Sequence, residues 1–383
     1  VLGFMGGMPI AGVIWQHLHY IVGLQRLGHD VYYCEDSARI AYNPETTNHD
    51  VDWSYVPKTL DRLARRFGFP DRWGYCARFL PDQPTAGLDR ARMRDLIRSA
   101  DAALNVCGAQ EIHEELQGAA NLIYVESDPG LEQIRIDSGH PGSREYFDRH
   151  RALFTFGEDV GSARFPVPLH GYRWLPTRQP VVTDFWATEA PPPPGAVFRT
   201  IANWNTSGLK DAHWRGETYL WSKSLEFLRF IEAPERAGEA IEMATEIRDA
   251  AIRARFAAHG WRLVDPRPLS DDIDQYVAYV RGSRGEFTVA KDQYVRLRTG
   301  WFSDRSACYL AAGRPVITQE TGFTRHYGAG RGLLAFSTIE EIAEAARAIR
   351  ADYAAHCRAA SAIAVEHFEA TRVLASLLER AGV

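Results

Sequence analysis

From Arg298 the chain reads Arg-Thr-Gly-Trp-Phe-Ser-Asp-Arg-Ser-Ala-Cys-Tyr-Leu-Ala-Ala-Gly-Arg-Pro-Val-Ile-Thr-Gln-Glu-Thr-Gly-Phe, ending at Phe323. A glycine turn precedes Ser303, a residue type suited to the N-cap of a helix. Gly313 would end that helix, and 315–318 reads as a buried strand with a polar loop behind it. The start of a helix offers unpaired N–H groups and the positive end of a dipole, which suits a diphosphate. The competing reading is that Ser303 and Asp304 merely cap the helix.

Two lysines of the same half stand in apolar, aromatic surroundings. Lys223 follows Tyr219-Leu-Trp-Ser, and Lys291 follows Phe287-Thr-Val-Ala. Either could neutralise a leaving diphosphate, or lie along apolar surface with its ammonium in water. Asn203, Trp204 and Asn205 end another strand-like run, where Trp204 could stack on a base or sugar or pack in the core. In the first half the titratable candidates are His17, His19 and Asp128. An imidazole with an ordinary pKa of about 6.5 is a natural proton acceptor. Two residues apart on one helix, the two histidines point to different faces. Asp128, in Tyr124-Val-Glu-Ser-Asp-Pro-Gly130, ends a strand. There a carboxylate can deprotonate a hydroxyl, orient a histidine, or stabilise an Asp-Pro-Gly turn. Glu35 and Asp36 end the second strand of the chain and either line the same cleft as Asp128 or cap that strand.

For these groups to meet, strands must carry them to a common edge. Residues 1–5 form an apolar run broken by Gly6, Gly7, Pro9 and Gly12. Trp15, Leu18, Ile21, Val22 and Leu24 then follow at helical spacing, Gly28 closes the helix, and 31–34 makes the next strand. Further strands are expected at 102–106, 121–126 and 153–156, with helices at 89–100 and 110–117. Prolines at 166, 168, 176, 180 and 191–194 mark an extended connector. Beyond it the alternation restarts, with strands at 197–202, 261–264, 286–289 and 315–318, helices at 239–259 and 303–312, and a largely helical 339–381. The expected class is α/β, with two doubly wound Rossmann-like domains, 1–180 and 181–355, facing a central cleft, and a C-terminal helix in 356–383. In such folds ligands sit at the carboxyl ends of the strands.

Gly300-x-x-Ser303, followed about ten residues on by Ala312-Gly313-x-Pro315-Val316, resembles the donor-binding signature of nucleotide-sugar glycosyltransferases of the GT-B architecture. The opening strand, glycine-rich loop, helix and Leu27-Gly28-His29-Asp30-Val31 resemble the start of their acceptor domains. This resemblance implies an enzyme in which 1–180 binds the acceptor, 181–355 the nucleotide sugar, and 356–383 crosses back to the first domain. Ser303, Asp304 and Arg305 would then hold the diphosphate of a donor such as a UDP- or dTDP-hexose. Arg298 would be available to pair with phosphate, and Lys223 and Lys291 would add positive charge. Gln319, Glu320, Thr321, Gly322 and Phe323 would lie near sugar or ribose hydroxyls, with Asn203, Trp204 and Asn205 on the same edge. His17, His19 or Asp128 would activate or position the acceptor. The chain differs from inverting relatives at Arg298, where they often carry His, at Ala307, where they carry a ribose-binding Glu, and at Val13, where they place the base.

Composition narrows the classes further. The 383 residues include 44 Lys+Arg against 49 Asp+Glu, a formal net charge of −5, which gives no electrostatic footprint for nucleic acid. Hydrophobic residues at 45% and charged residues at 24% argue against a disordered or collagen-like chain. Five scattered cysteines without a C-x-x-C pair point to a reduced, cytoplasmic protein. No apolar run approaches the roughly 20 residues that span a bilayer, so no integral membrane segment is expected. The acidic cluster Asp271, Asp272 and Asp274 reads as a helix start, so no metal is expected, and no cofactor beyond the donor substrate. Trp15, Tyr20, Trp53, Trp73 and Tyr75 in the first half tilt the acceptor toward a small apolar or aromatic molecule, as in natural-product biosynthesis. Monomer and homodimer both stay open. The rival class is an NAD(P)-dependent oxidoreductase, from Gly3-Phe-Met-Gly-Gly7 and Glu35-Asp36, although the spacing is not G-x-G-x-x-G. A sugar-nucleotide epimerase and a non-catalytic nucleotide-sugar binder are further alternatives on the same architecture.

Overall fold

The computed structural model describes residues 1–113, 116, 119, 121–205 and 210–383. In the first half, strands Tyr33–Ser37 and Trp73–Ala77 run parallel, with Thr85–Gly87 antiparallel at their edge. Ala103–Val106, Leu122–Glu126, Ala152–Thr155 and Trp174–Pro176 form a second parallel group. Leu2 bridges to Cys34 on one side and Asn105 on the other. Its N–H donates to the Leu104 carbonyl at 2.8 Å and its carbonyl accepts from Val106 at 3.1 Å. The expected opening strand is thus a narrow ribbon that joins both groups into one sheet.

The second half holds six parallel strands in the order Trp261–Val264, Ile241–Ala244, Phe198–Ile201, Gly285–Thr288, Val316–Gln319 and Leu333–Phe336. In chain order this is third, second, first, fourth, fifth, sixth, the doubly wound order. Its direction of winding reverses between Phe198–Ile201 and Gly285–Thr288, where a crevice opens at the carboxyl ends.

Two expectations need correction. The expected helix 239–259 is a strand, Ile241–Ala244, followed by a shorter helix, Ala250–Ala258. Ile241, Met243 and Ala244 are buried between two neighbouring strands, so sheet pairing overrides helical propensity. The helix starts where the Asp249 carboxylate accepts from the amides of Ala251 and Ile252. Of the expected helix 110–117, residues 110–113 are irregular, and 114, 115, 117 and 118 lie outside the described residues. Asp272 caps the helix Ile273–Arg281 by accepting from the amides of Asp274 and Gln275.

The first helix, Ala11–Arg26, buries Ile14, Trp15, Leu18, Ile21 and Val22. The last helix, Ala370–Ala381, packs on it so closely that a Cβ at Gly23 would stand 2.5 Å from Leu374 Cδ1. Backbone bonds of 2.7 and 2.8 Å from Val181 to Phe368 and Ala370 tie the connector to the same place. One apolar core therefore runs from the first helix through Trp186 and Tyr276 to Phe302 and the helix Asp304–Ala311. No helix among the described residues is long and apolar enough to cross a membrane.

Candidate active site

Lys291 leaves the strand Gly285–Thr288 on the second-half side of the crevice. Its Nζ lies 3.2 Å from the centre of the Trp221 ring and 2.7 Å from Asp128 Oδ1, on the loop after the first-half strand Leu122–Glu126. The Tyr294 hydroxyl donates to the same oxygen, and Ser127 Oγ reaches Oδ2 at 3.1 Å. Burial pushes the Asp128 carboxyl up, but Lys291 and Lys210 outweigh it and hold the group at about 2. Burial lowers the Lys291 ammonium to about 8 against the pull of Asp128. Lys223 is buried, with its Nζ 6.0 Å from the Trp301 ring centre. Desolvation, then the nearby Arg305 charge, drive its pKa well below the ordinary value.

Ser303 takes the N-cap position of Asp304–Ala311, yet its side chain makes no capping bond. Burial raises the Asp304 carboxyl, which favours its neutral form. Asp128, Trp221, Trp301, Asp304 and Lys210 line one cavity of about 1010 Å³, whose remaining wall is first-half residues. The Trp301 indole N–H donates to the Ser127 carbonyl at 2.9 Å, so the two halves touch at the rim.

Several expected site residues are committed elsewhere. His17 is fully buried beneath Gly3, with Nδ1 on the Val13 carbonyl at 2.8 Å, and burial lowers its pKa to about 4. His19 is buried beside Trp15 and Trp186, taking the Val182 amide on Nδ1 at 3.1 Å, and burial lowers it to about 3. Neither histidine lines the large cavity. Arg305 is turned to the sheet, donating to Glu286 Oε1 at 2.7 Å and Thr288 Oγ1 at 3.1 Å, because the fully buried Glu286 needs a counterion. Arg298 is exposed in a left-handed conformation after the helix Asp292–Arg296 and does not line the cavity.

Trp204 is core, edge-on to Phe256 at 5.5 Å. Asn203 and Asn205 are exposed, and Asn205 Oδ1 accepts from Ser222 at 3.0 Å. In the expected sugar loop, Gln319 is buried, accepting from the Ala290 amide at 3.0 Å and donating to Glu226 at 2.6 Å. The Glu320 carboxylate accepts from the Gly322 amide, and Thr321 Oγ1 donates to the Trp301 carbonyl at 2.5 Å. Gly322 has φ +111° against Asp159, and Phe323 packs in an aromatic cluster with Phe302 and Tyr327. These bonds tie Gln319, Glu320 and Thr321 to partners within the protein. Of the expected residues, Asp128 and Asp304 line the cavity, Lys291 reaches it through Asp128, and Lys223 and Ser303 are buried without lining it. Trp221, Trp301 and Lys210 also line it, and Tyr294 reaches it through Asp128. Trp301 stands inside the Gly300-to-Ser303 motif, and Trp221 stands two residues before Lys223, which were the available signals.

The opening glycine loop is already occupied. Glu35 accepts from the amides of Gly6 and Gly7, the latter at 2.9 Å, and from the Tyr33 hydroxyl. Burial raises its pKa to about 7 against those three donors. A dinucleotide pyrophosphate would need these same N–H groups, and a carboxylate in their place repels it.

No family model matches the chain, and no curated protein matches it. Solved structures do. HepE of Anabaena, in complex with UDP and glucose, aligns at 10% identity over 95% of each chain with a TM-score of 0.55. A glycosyltransferase from Rickettsia africae aligns at 10% identity over 100% of this chain and 96% of its own, TM-score 0.54. An alpha-glucosyltransferase in complex with UDP and a 13-mer DNA aligns at 11% identity over 97% and 96%, TM-score 0.54. Strand order, crevice and whole-chain alignment together give this chain the GT-B fold of nucleotide-sugar glycosyltransferases, two Rossmann-like sheets facing a cleft.

Proposed function

We propose that the chain is a metal-independent glycosyltransferase that moves a hexose-like sugar from a nucleoside diphosphate onto a small acceptor. The observation that carries this reading is the meeting of Lys291, from the second half, with a first-half carboxylate, Asp128, which lines one large cavity together with Asp304 in the first turn of the helix Asp304–Ala311. In this reading residues 181–355 take the donor, 1–180 the acceptor, and 356–383 join the last helix to the first. The diphosphate lies against the amides at Ser303 and Asp304 and against the Lys291 and Lys223 ammonium groups. Fixed donors and cations of this kind stabilise charge developing on a leaving group without a metal. Among the described residues no cluster of three or more His, Cys, Asp or Glu side chains is placed to hold a metal ion.

Asp128 falls to the acceptor, since His17 and His19 lie in the core. Phe4, Tyr75, Tyr124, Tyr146 and Phe147 line the first-half wall of the cavity and favour a flat, partly apolar acceptor. Of the aromatic residues singled out in the sequence, Tyr75 is the one on that wall. The five unpaired cysteines favour a cytoplasmic setting. The test is thermal stabilisation by UDP, dTDP, GDP and NAD(P), because a ligand of the folded state raises stability by mass action. UDP heads the panel because HepE and the alpha-glucosyltransferase were solved with it. Stabilisation by a nucleoside diphosphate is expected. Stabilisation by NAD(P) alone would overturn the reading.

A further inference from the structure

We propose that Asp128 is a catalytic base masked by Lys291, and that the donor's diphosphate unmasks it by taking the lysine over. The inference rests on the donor reading above and adds an order of events to it. Asp128 and Lys291 come from opposite halves and meet at 2.7 Å. The carboxylate, which lines the large cavity, is about one-third exposed and the lysine about one-sixth. Oδ1 also receives Tyr294 and Oδ2 receives Ser127. The lysine lies flat on Trp221 and its ammonium points at this carboxylate.

A diphosphate carries more negative charge than one carboxylate, and at a partly desolvated cation the larger charge wins. Once Lys291 turns to phosphate, burial, which favours the protonated form, is opposed by Lys210 and the Tyr294 hydroxyl without the help of Lys291, so the carboxyl rises from its donor-free value. The carboxylate is then a stronger base than in the absence of donor. In the transfer step the acceptor hydroxyl gives its proton to Asp128 and its oxygen bonds to the anomeric carbon. The bond from that carbon to the phosphate oxygen breaks, and its electron pair leaves on the diphosphate, which Lys291 neutralises. Without donor the base is silent, so an acceptor bound first is not activated.

Titration calorimetry with UDP, dTDP and inorganic pyrophosphate on wild type, Asp128→Asn and Lys291→Met tests this. Pyrophosphate carries the charge without a base. Asp128→Asn keeps the shape and removes the competing charge, so it should bind about tenfold more tightly than wild type, while Lys291→Met binds more weakly. The gain of Asp128→Asn should disappear when Lys291→Met is added, because no lysine is left to release. Equal or weaker binding by Asp128→Asn, with wild type binding normally, overturns the mask and leaves the donor reading standing. A gain that persists without Lys291 overturns the unmasking. Failure of all three anions to bind any form overturns the donor reading, and the mask with it.

Discussion

Arg305→Met separates a structural arginine from a phosphate ligand. Glu286 is fully buried, its Oε1 sits 2.7 Å from the Arg305 guanidinium, and its Oε2 has no partner. Methionine retains most of the stem but leaves the carboxylate without a counterion, a loss of about 3–5 kcal/mol for a buried pair. At about 3 °C per kcal/mol for a unit of roughly 180 residues, the melting midpoint should drop by about 10 °C. Scanning calorimetry measures this, with UDP affinity as the control, and Glu286→Gln in the same background should recover much of the loss by removing the stranded charge. An unchanged midpoint together with lost UDP affinity would refute the assignment and put Arg305 on the ligand. A double variant no more stable than Arg305→Met would refute the buried-charge account.

UDP affinity should decline as pH rises past about 8, because Lys291 must be charged to hold a diphosphate and burial has lowered it to about that value. Calorimetry at pH 7 and pH 9 checks it, and identical affinities would remove Lys291 from the site. Gly322→Ala should cost about 2–4 kcal/mol, since φ is +111° and a Cβ would overlap the Asp159 carboxylate and stand 2.9 Å from Arg325. Urea denaturation measures it, and a neutral effect would show that the loop yields freely. His19→Phe should lower stability by about 1–3 kcal/mol through loss of its bonds to Val182 and Trp186. Its UDP affinity should stay within about twofold; loss of binding at full stability would return His19 to the site.

The fold was legible where apolar runs and glycine breaks coincide, as at 102–106, 121–126 and 315–318. It was illegible where pairing decides. Ile241–Ala244 carries helix-tolerant residues, and its strand character comes from neighbours distant in sequence. At the candidate site, residue type and position singled out Asp128, Lys291 and Ser303 as candidates, since all three follow strand ends or a glycine turn. What the sequence could not convey was which polar groups already have partners inside the protein. Arg305 looks like a phosphate ligand until Glu286, 19 residues earlier on a buried strand, claims it. Gln319 looks free until Glu226 and the Ala290 amide take both ends of its amide.

That same question of prior commitment explains why two sheets of one design are used differently. Both halves bring a loop to a point where winding reverses, and each such point offers amide groups to an anion. In the first half Glu35 fills the Gly6–Gly7 loop with its own carboxylate and adds Tyr33 as a third donor. In the second half the Ser303 side chain makes no capping bond, and the Asp304 carboxylate, its pKa raised by burial, accepts from the single Arg305 amide at 2.9 Å. An internal carboxylate thus fills the first point through two loop amides, while at the second it takes one amide of the first helical turn. The Asp128–Lys291 contact brings a first-half anion to the second half, and it binds through one rotatable lysine rather than a backbone loop. A carboxylate held by amides stays put, whereas one held by a lysine can be exchanged. The chemistry of the cleft therefore concentrates on the exchangeable pair.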